Sequence, residues 1–96
     1  MPAYRLTKKA LDDLRSIARY TEKAWGREQR NKYLSNLNSS IQMLAHDPQL
    51  GRACDEIKQG YRKHHVGRHL LFYRLIASRV EIIRILHDSM DVDSHL

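Results

Sequence analysis

The sequence predicts an α+β fold in which a helical hairpin packs on an antiparallel sheet, with elements in the order β-α-α-β-β-β. Two stretches carry apolar residues three and four apart, and only Gly26 separates them. A break that short makes the two helices an antiparallel hairpin. Three later runs, at residues 61–66, 69–76 and 80–86, are rich in β-branched and aromatic residues. The gaps between them are two or three residues long, which permits only antiparallel hairpins. Two amphipathic helices of this size cannot satisfy their apolar stripes on each other alone, so they need the sheet to lie on. A length of 96 residues predicts one domain, 1–96, because a smaller unit would bury too little surface to fold alone.

Residues 3–6 read as a short extended segment, with Pro2 blocking a helix before it. Thr7 is placed to cap the first helix, and Leu6 and Leu11 have the spacing of a hydrophobic staple. Leu11, Leu14, Ile17, Ala18 and Trp25 form one stripe, and Gly26 supplies the stop. Tyr33, Leu34, Leu37, Ile41, Leu44 and Ala45 form the stripe of the second helix. That helix ends at Asp47 because a residue before proline is pushed out of the helical region. Residues 49–60 read as a connector. In the last hairpin a two-residue turn at Ala77 and Ser78 would set Arg74 opposite Glu81, Tyr73 opposite Ile82, and Arg84 beside Leu71.

The 17 Lys and Arg against 11 Asp and Glu give a net charge of +6, which suits an acidic partner, either nucleic acid or protein. The basic residues are scattered, nine in residues 1–46 and eight in 47–96, so no basic arm of the kind that binds DNA is present. Cys54 is alone, which rules out an internal disulfide and a cysteine-based zinc site and fits a reducing cytoplasm. The first residues lack the apolar core of a signal peptide, so the chain is expected to be soluble and unexported.

Some residues invite chemistry. His64 and His65 are adjacent on a strand and point to opposite faces, so with His69 they read as surface histidines and no metal site is expected. Trp25 beside Gly26 reads as a core residue at a helix end. Arg84, inside an apolar strand, needs a carboxylate, solvent or a ligand, and Asp88 or Asp91 is the expected partner within the chain. A sheet that is apolar on both faces leaves one face uncovered by the helices, and a partner is expected there.

The ordered set of local phrases resembles the ParE toxins of the RelE/ParE toxin–antitoxin superfamily. It comprises Ala10, Asp13, Leu14, Ile17 and Tyr20; then Asp47, Pro48 and Gly51; Gly60 and Arg62; Phe72, Tyr73 and Arg74; and the closing Arg84, Ile85, Leu86, His87, Met90 and Asp91. The resemblance implies a bacterial toxin that poisons DNA gyrase by binding, with no reaction and no cofactor of its own. It also implies neutralisation by a ParD-like antitoxin with a ribbon-helix-helix DNA-binding half, so that DNA is met only through the antitoxin. On this reading His87, Met90 and Asp91 carry toxicity, with Arg84 anchoring them. Leu14, Tyr33, Leu37, Leu71, Tyr73 and Ile82 are the expected antitoxin contacts. The alternative is the RelE-like branch, which cuts messenger RNA on the ribosome. There His87 would do proton work, with Arg62, Lys63, His64 and Arg84 supplying charge.

Overall fold

The computed structural model describes residues 4–96; Ala3, which the sequence assigned to the first extended segment, and Pro2, read as blocking a helix before it, lie outside them. In chain order the elements are β1 (Tyr4–Leu6), α1 (Lys8–Trp25), α2 (Arg27–His46), β2 (Arg52–Ala53), β3 (Arg62–Val66), β4 (His69–Ile76), β5 (Arg79–His87) and α3 (Val92–His95). The predicted β-α-α-β-β-β order holds, with a two-residue strand added in the connector and one helical turn added after β5. The sheet runs β1-β5-β4-β3-β2. It is mixed, because β1 lies parallel to β5 while the other pairs are antiparallel. The whole helical hairpin separates β1 from β5 in the chain, so β1 can enter the sheet in either direction. The tight turns leave the later strands no such choice.

The start of α1 follows the predicted capping chemistry. The Thr7 Oγ1 accepts the Ala10 N–H at 3.1 Å, and Gly26 ends the helix at φ +95°. Asp47 stops α2, and its side chain accepts the Gln49 N–H as a 3-10 turn opens at Pro48. The phrases around Asp47, Arg62 and Tyr73 meet in one knot. The Tyr73 hydroxyl donates to the Pro48 carbonyl at 2.7 Å and accepts the Gly51 N–H at 2.9 Å, while Arg62 donates to the Gly51 carbonyl at 2.5 Å. A Cβ on Gly51 would lie 2.7 Å from the Tyr73 ring, so the glycine is set by packing.

Ala77 and Ser78 form the β4–β5 turn, both at positive φ, and Arg74 faces Glu81 and Tyr73 faces Ile82 as the sequence predicted. Beyond that point β5 carries a bulge. Phe72 pairs with Arg84, and the predicted neighbour Leu71 pairs with Ile85. The extra residue moves every later side chain of β5 to the opposite face. Val80, Ile82 and Ile85 therefore all face the helices, where they meet Leu37, Ile41, Leu44, Leu71 and Tyr73 in the main core.

The expectation of an uncovered second face is overturned. Phe72, Leu86, Cys54 and Tyr61 form a second buried cluster there, with Ile57, Leu70, Ile83, Val92 and Leu96 packed against it. The connector folds over that face from one side and α3 from the other. Residues 55–60 and 92–96 are polar at most positions, yet each contributes one or two apolar side chains, and these suffice to cover a narrow sheet.

Candidate functional site

A groove of about 1110 Å³ lies between the C-terminal half of α1, the start of α2, the β3–β4 turn and the end of β5. Tyr20 and Trp25 stand on its rim, 71% and 72% exposed, and Met90 faces them at 44%. Single exposed apolar side chains are ordinary, but three gathered along one groove form a patch of the kind that marks an interaction site. Trp25 is thus not the core residue the sequence suggested. It is the last residue of α1, and it turns out over the groove rather than under the helix.

The floor is built by Tyr33, His69 and His87. Residues 69 and 87 are direct cross-strand partners, and the bulge in β5 puts His87 on the helix side of the sheet. Their rings meet edge to face with centroids 5.4 Å apart. The Tyr33 hydroxyl lies 2.6 Å from His69 Nδ1 and 3.2 Å from the Val66 carbonyl, and it accepts the Arg68 N–H at 3.2 Å. Gly67 permits this arrangement twice over. Its φ is +57°, and a Cβ there would stand 2.7 Å from the Tyr33 ring. Burial lowers the pKa of His69 below its ordinary value, and the neighbouring His87 lowers it further. Burial likewise raises that of Tyr33. Histidine at 69 is therefore half-buried and bonded, not a free surface residue on an edge strand. His65, by contrast, is mostly exposed and lies 3.4 Å from Asp88. Among the described residues no carboxylate lines the groove, whereas Arg68 and the two imidazoles do.

Arg84 has a different partner from those predicted. Its guanidinium makes a two-pronged contact with Asp13 of α1 at 2.8 and 3.0 Å, and it donates to the His95 carbonyl at 2.9 Å. Hydrogen bonding to Asp13 raises its pKa above the ordinary arginine value. The same carboxylate accepts the Ile85 N–H at 2.9 Å. The physical need lies in the sheet. β1 ends at Leu6, so β5 has lost its neighbour by Ile83, and Thr7 and Asp13 take over its exposed backbone groups. Asp91 caps α3 by accepting the Asp93 N–H and the Ser94 hydroxyl. Of the four residues expected to carry toxicity, His87 and Met90 face the groove, Arg84 holds the segment after β5 in place, and Asp91 shapes its last turn.

The expected antitoxin contacts divide sharply. Leu37, Leu71, Tyr73 and Ile82 are fully buried between helices and sheet, so no partner can touch them in this fold. The sequence identified their apolar character correctly but could not tell an inner stripe from an outer one. Tyr33 lies in the large groove, and Leu14 lines a smaller apolar cleft beside β1 with Tyr4, Leu6 and Leu34. Tyr20 and Trp25, which were not among the expected contacts, are the most exposed aromatics of the helical hairpin. Their place on the stripe side near the open end of α1 was the available signal.

A surface of this kind, with large side chains open along its rim and an arginine and two imidazoles in its lining, has the features of a partner-binding surface on a small α+β scaffold. Comparison gives the family. The family described as "ParE toxin of type II toxin-antitoxin system, parDE" matches residues 4–92, and the chain belongs to it. It is similar to Toxin ParE1 of Caulobacter vibrioides, with 43% identity over 96 residues covering 100% of this chain and 99% of that one. It is similar at 43% identity over 94 residues to Toxin ParE1 of Mycobacterium tuberculosis, covering 97% and 96% of the two chains. Toxin ParE of Escherichia coli matches at 33% over 97 residues, covering 100% and 94%. A solved structure described as the chromosomal ParDE TA system from P. aeruginosa shares the fold. Its TM-score is 0.77 at 20% identity, covering 91% of this chain and 96% of that one. The protein is thus a ParE-type toxin of a type II toxin–antitoxin system. Among the described residues no helix is long and apolar enough to cross a membrane.

Proposed function

We propose that this toxin acts in the cytoplasm by binding DNA gyrase, catalysing no reaction of its own. We further propose that a ParD-like ribbon-helix-helix antitoxin silences it by laying an acidic, apolar segment into the groove beneath Tyr20, Trp25 and Met90. The observation that carries this reading is the groove itself. Three large apolar side chains stand open at the rim, and the lining holds an arginine and two imidazoles with no carboxylate among the described residues. That pattern suits a segment with apolar anchors and negative charge. His87 and Met90 belong to the same surface, so one occupant of the groove would hide the residues assigned to toxicity.

RNA cleavage is the less favoured reading. A phosphorane needs fixed cations beside the acid and base. Arg62 is engaged with backbone carbonyls at residues 49 and 51, and Arg84 is engaged with Asp13. Neither lines the groove, which leaves Arg68 as its arginine.

The test adds purified chain to gyrase with supercoiled DNA and, separately, to ribosomes carrying message. Trapped cleaved DNA that disappears with Met90→Lys is the expected outcome. Cut message with untouched gyrase would overturn it. Trp25→Ala should weaken antitoxin binding by about 2 kcal/mol, roughly thirtyfold, as for a central aromatic anchor.

A further inference from the structure

From the floor of the groove, we infer that the antitoxin segment seats a carboxylate against His69 and His87, and that closing the groove draws one proton from solvent onto His69. This inference rests on the groove being the antitoxin site and adds the chemistry by which that site reads its partner.

The geometry gives the two imidazoles different tasks. At His87, the Ser89 N–H points at Nδ1 from 3.1 Å, and the Ser89 hydroxyl lies 2.7 Å from the same atom. A nitrogen that accepts a backbone N–H carries no proton, so neutral His87 holds its proton on Nε2 and can donate there. The Ser89 N–H therefore already occupies His87 Nδ1, which also lies 3.4 Å from the Asp88 carboxylate. His69 has no such obstacle. While its ring is neutral, Nδ1 accepts the Tyr33 hydroxyl at 2.6 Å. When the ring is charged, the Nδ1–H can donate to the same oxygen, because the phenol hydrogen has a second acceptor in the Val66 carbonyl at 3.2 Å. The Arg68 N–H continues to donate to that oxygen in both states. Rotation of one hydroxyl thus lets His69 change charge with no bond lost.

The surrounding charges explain why the proton is absent before the partner arrives. Tyr33 from α2 is neutral, and the His87 imidazole from β5 lies edge to face with His69 and disfavours its charged form. Asp13 on α1 favours the cation but is committed to Arg84 and the Ile85 N–H. Asp88, just after β5, is shared between His65 and His87 at 3.4 Å from each. Arg68 at the β3–β4 turn adds further positive charge. Burial completes the suppression and lowers the pKa of His69. A carboxylate arriving against this pair supplies the missing counter-charge and raises that pKa. Protons are then taken up on binding, and affinity increases as pH falls from about 7.5 toward 6.

The experiment is calorimetric titration of the full chain with its ParD-like antitoxin, in phosphate and in ACES, at pH 7.5 and 6.0. The expected result is a buffer-dependent heat corresponding to uptake approaching one proton, and tightening of up to about tenfold per pH unit. His69→Gln should remove the buffer dependence and flatten the pH profile, while His87→Gln should weaken binding at both pH values. Wild-type binding with no buffer-dependent heat, or tightening that survives in His69→Gln, would overturn the inference and leave the groove assignment intact. Unchanged affinity in the Tyr20→Ala and Trp25→Ala variants would overturn the groove assignment instead. The wild-type measurement stands even where a variant folds poorly.

Discussion

Asp13 does three things with one carboxylate. It pairs with Arg84 in a two-pronged contact, accepts the Ile85 N–H where β5 has outrun β1, and through Arg84 reaches the His95 carbonyl. Both side chains are mostly buried, at 15% and 16% exposure, so removing one leaves the other in surroundings that hydrate it poorly. We expect Asp13→Ala to cost about 3 kcal/mol in urea denaturation, whereas Asp13→Ala combined with Arg84→Met should cost clearly less. A double variant as unstable as the single would mean that the pair itself, and not the orphaned charge, holds the segment. The sequence flagged Arg84 as needing a partner but looked to Asp88 and Asp91, which are nearby in the chain. Asp13 lies 71 residues away, and only the crossing of α1 over the end of β5 brings it there. Truncation after Leu86 would probe toxicity poorly, because it also strips Val92 and Leu96 from the second core.

At the level of elements, the helices and the strand order were legible because period and turn length constrain them strongly. The bulge was not. The apolar run of β5 allows either face to be buried at nearly every step, so alternation gave no warning of an extra residue. The turn before it was read correctly despite its unusual residues, because strand spacing forces it. Ala77 and Ser78 sit at φ +51° and +64°, where a side chain costs about 1 kcal/mol per residue. Replacing the pair with Asn-Gly should therefore raise stability by about 1 kcal/mol, visible as a higher urea midpoint at unchanged slope. A lower midpoint would mean that the turn is held by contacts other than its backbone geometry.

Across the described residues, both faces of the sheet are closed by the chain's own segments, and the groove at one end of the helical hairpin gathers the open side chains of Tyr20, Trp25 and Met90. The sequence gauged the apolar content well but could not foresee that a mostly polar connector and one turn of helix would close the second face. A net charge of +6 spread over so small a body favours fast capture of an acidic partner. The association rate constant with antitoxin should fall by about tenfold or more between roughly 0.05 and 0.5 M salt, with dissociation changed much less. Stopped-flow mixing reads this directly, and a salt-insensitive association rate would show that charge does not steer the encounter.

The extra residue in β5 makes one strand answer to two constituencies. Its first half addresses the hydrophobic interior in one phase and its last residues address the outside world in the other, so the two halves are free to change independently. Ironing that bulge out with every residue kept would leave the early half docked and turn the late half over, because Leu86 and not His87 would then lie opposite His69. His87 would then point toward the closed side of the sheet, and Leu86 would project into the wet trough where the imidazole had been.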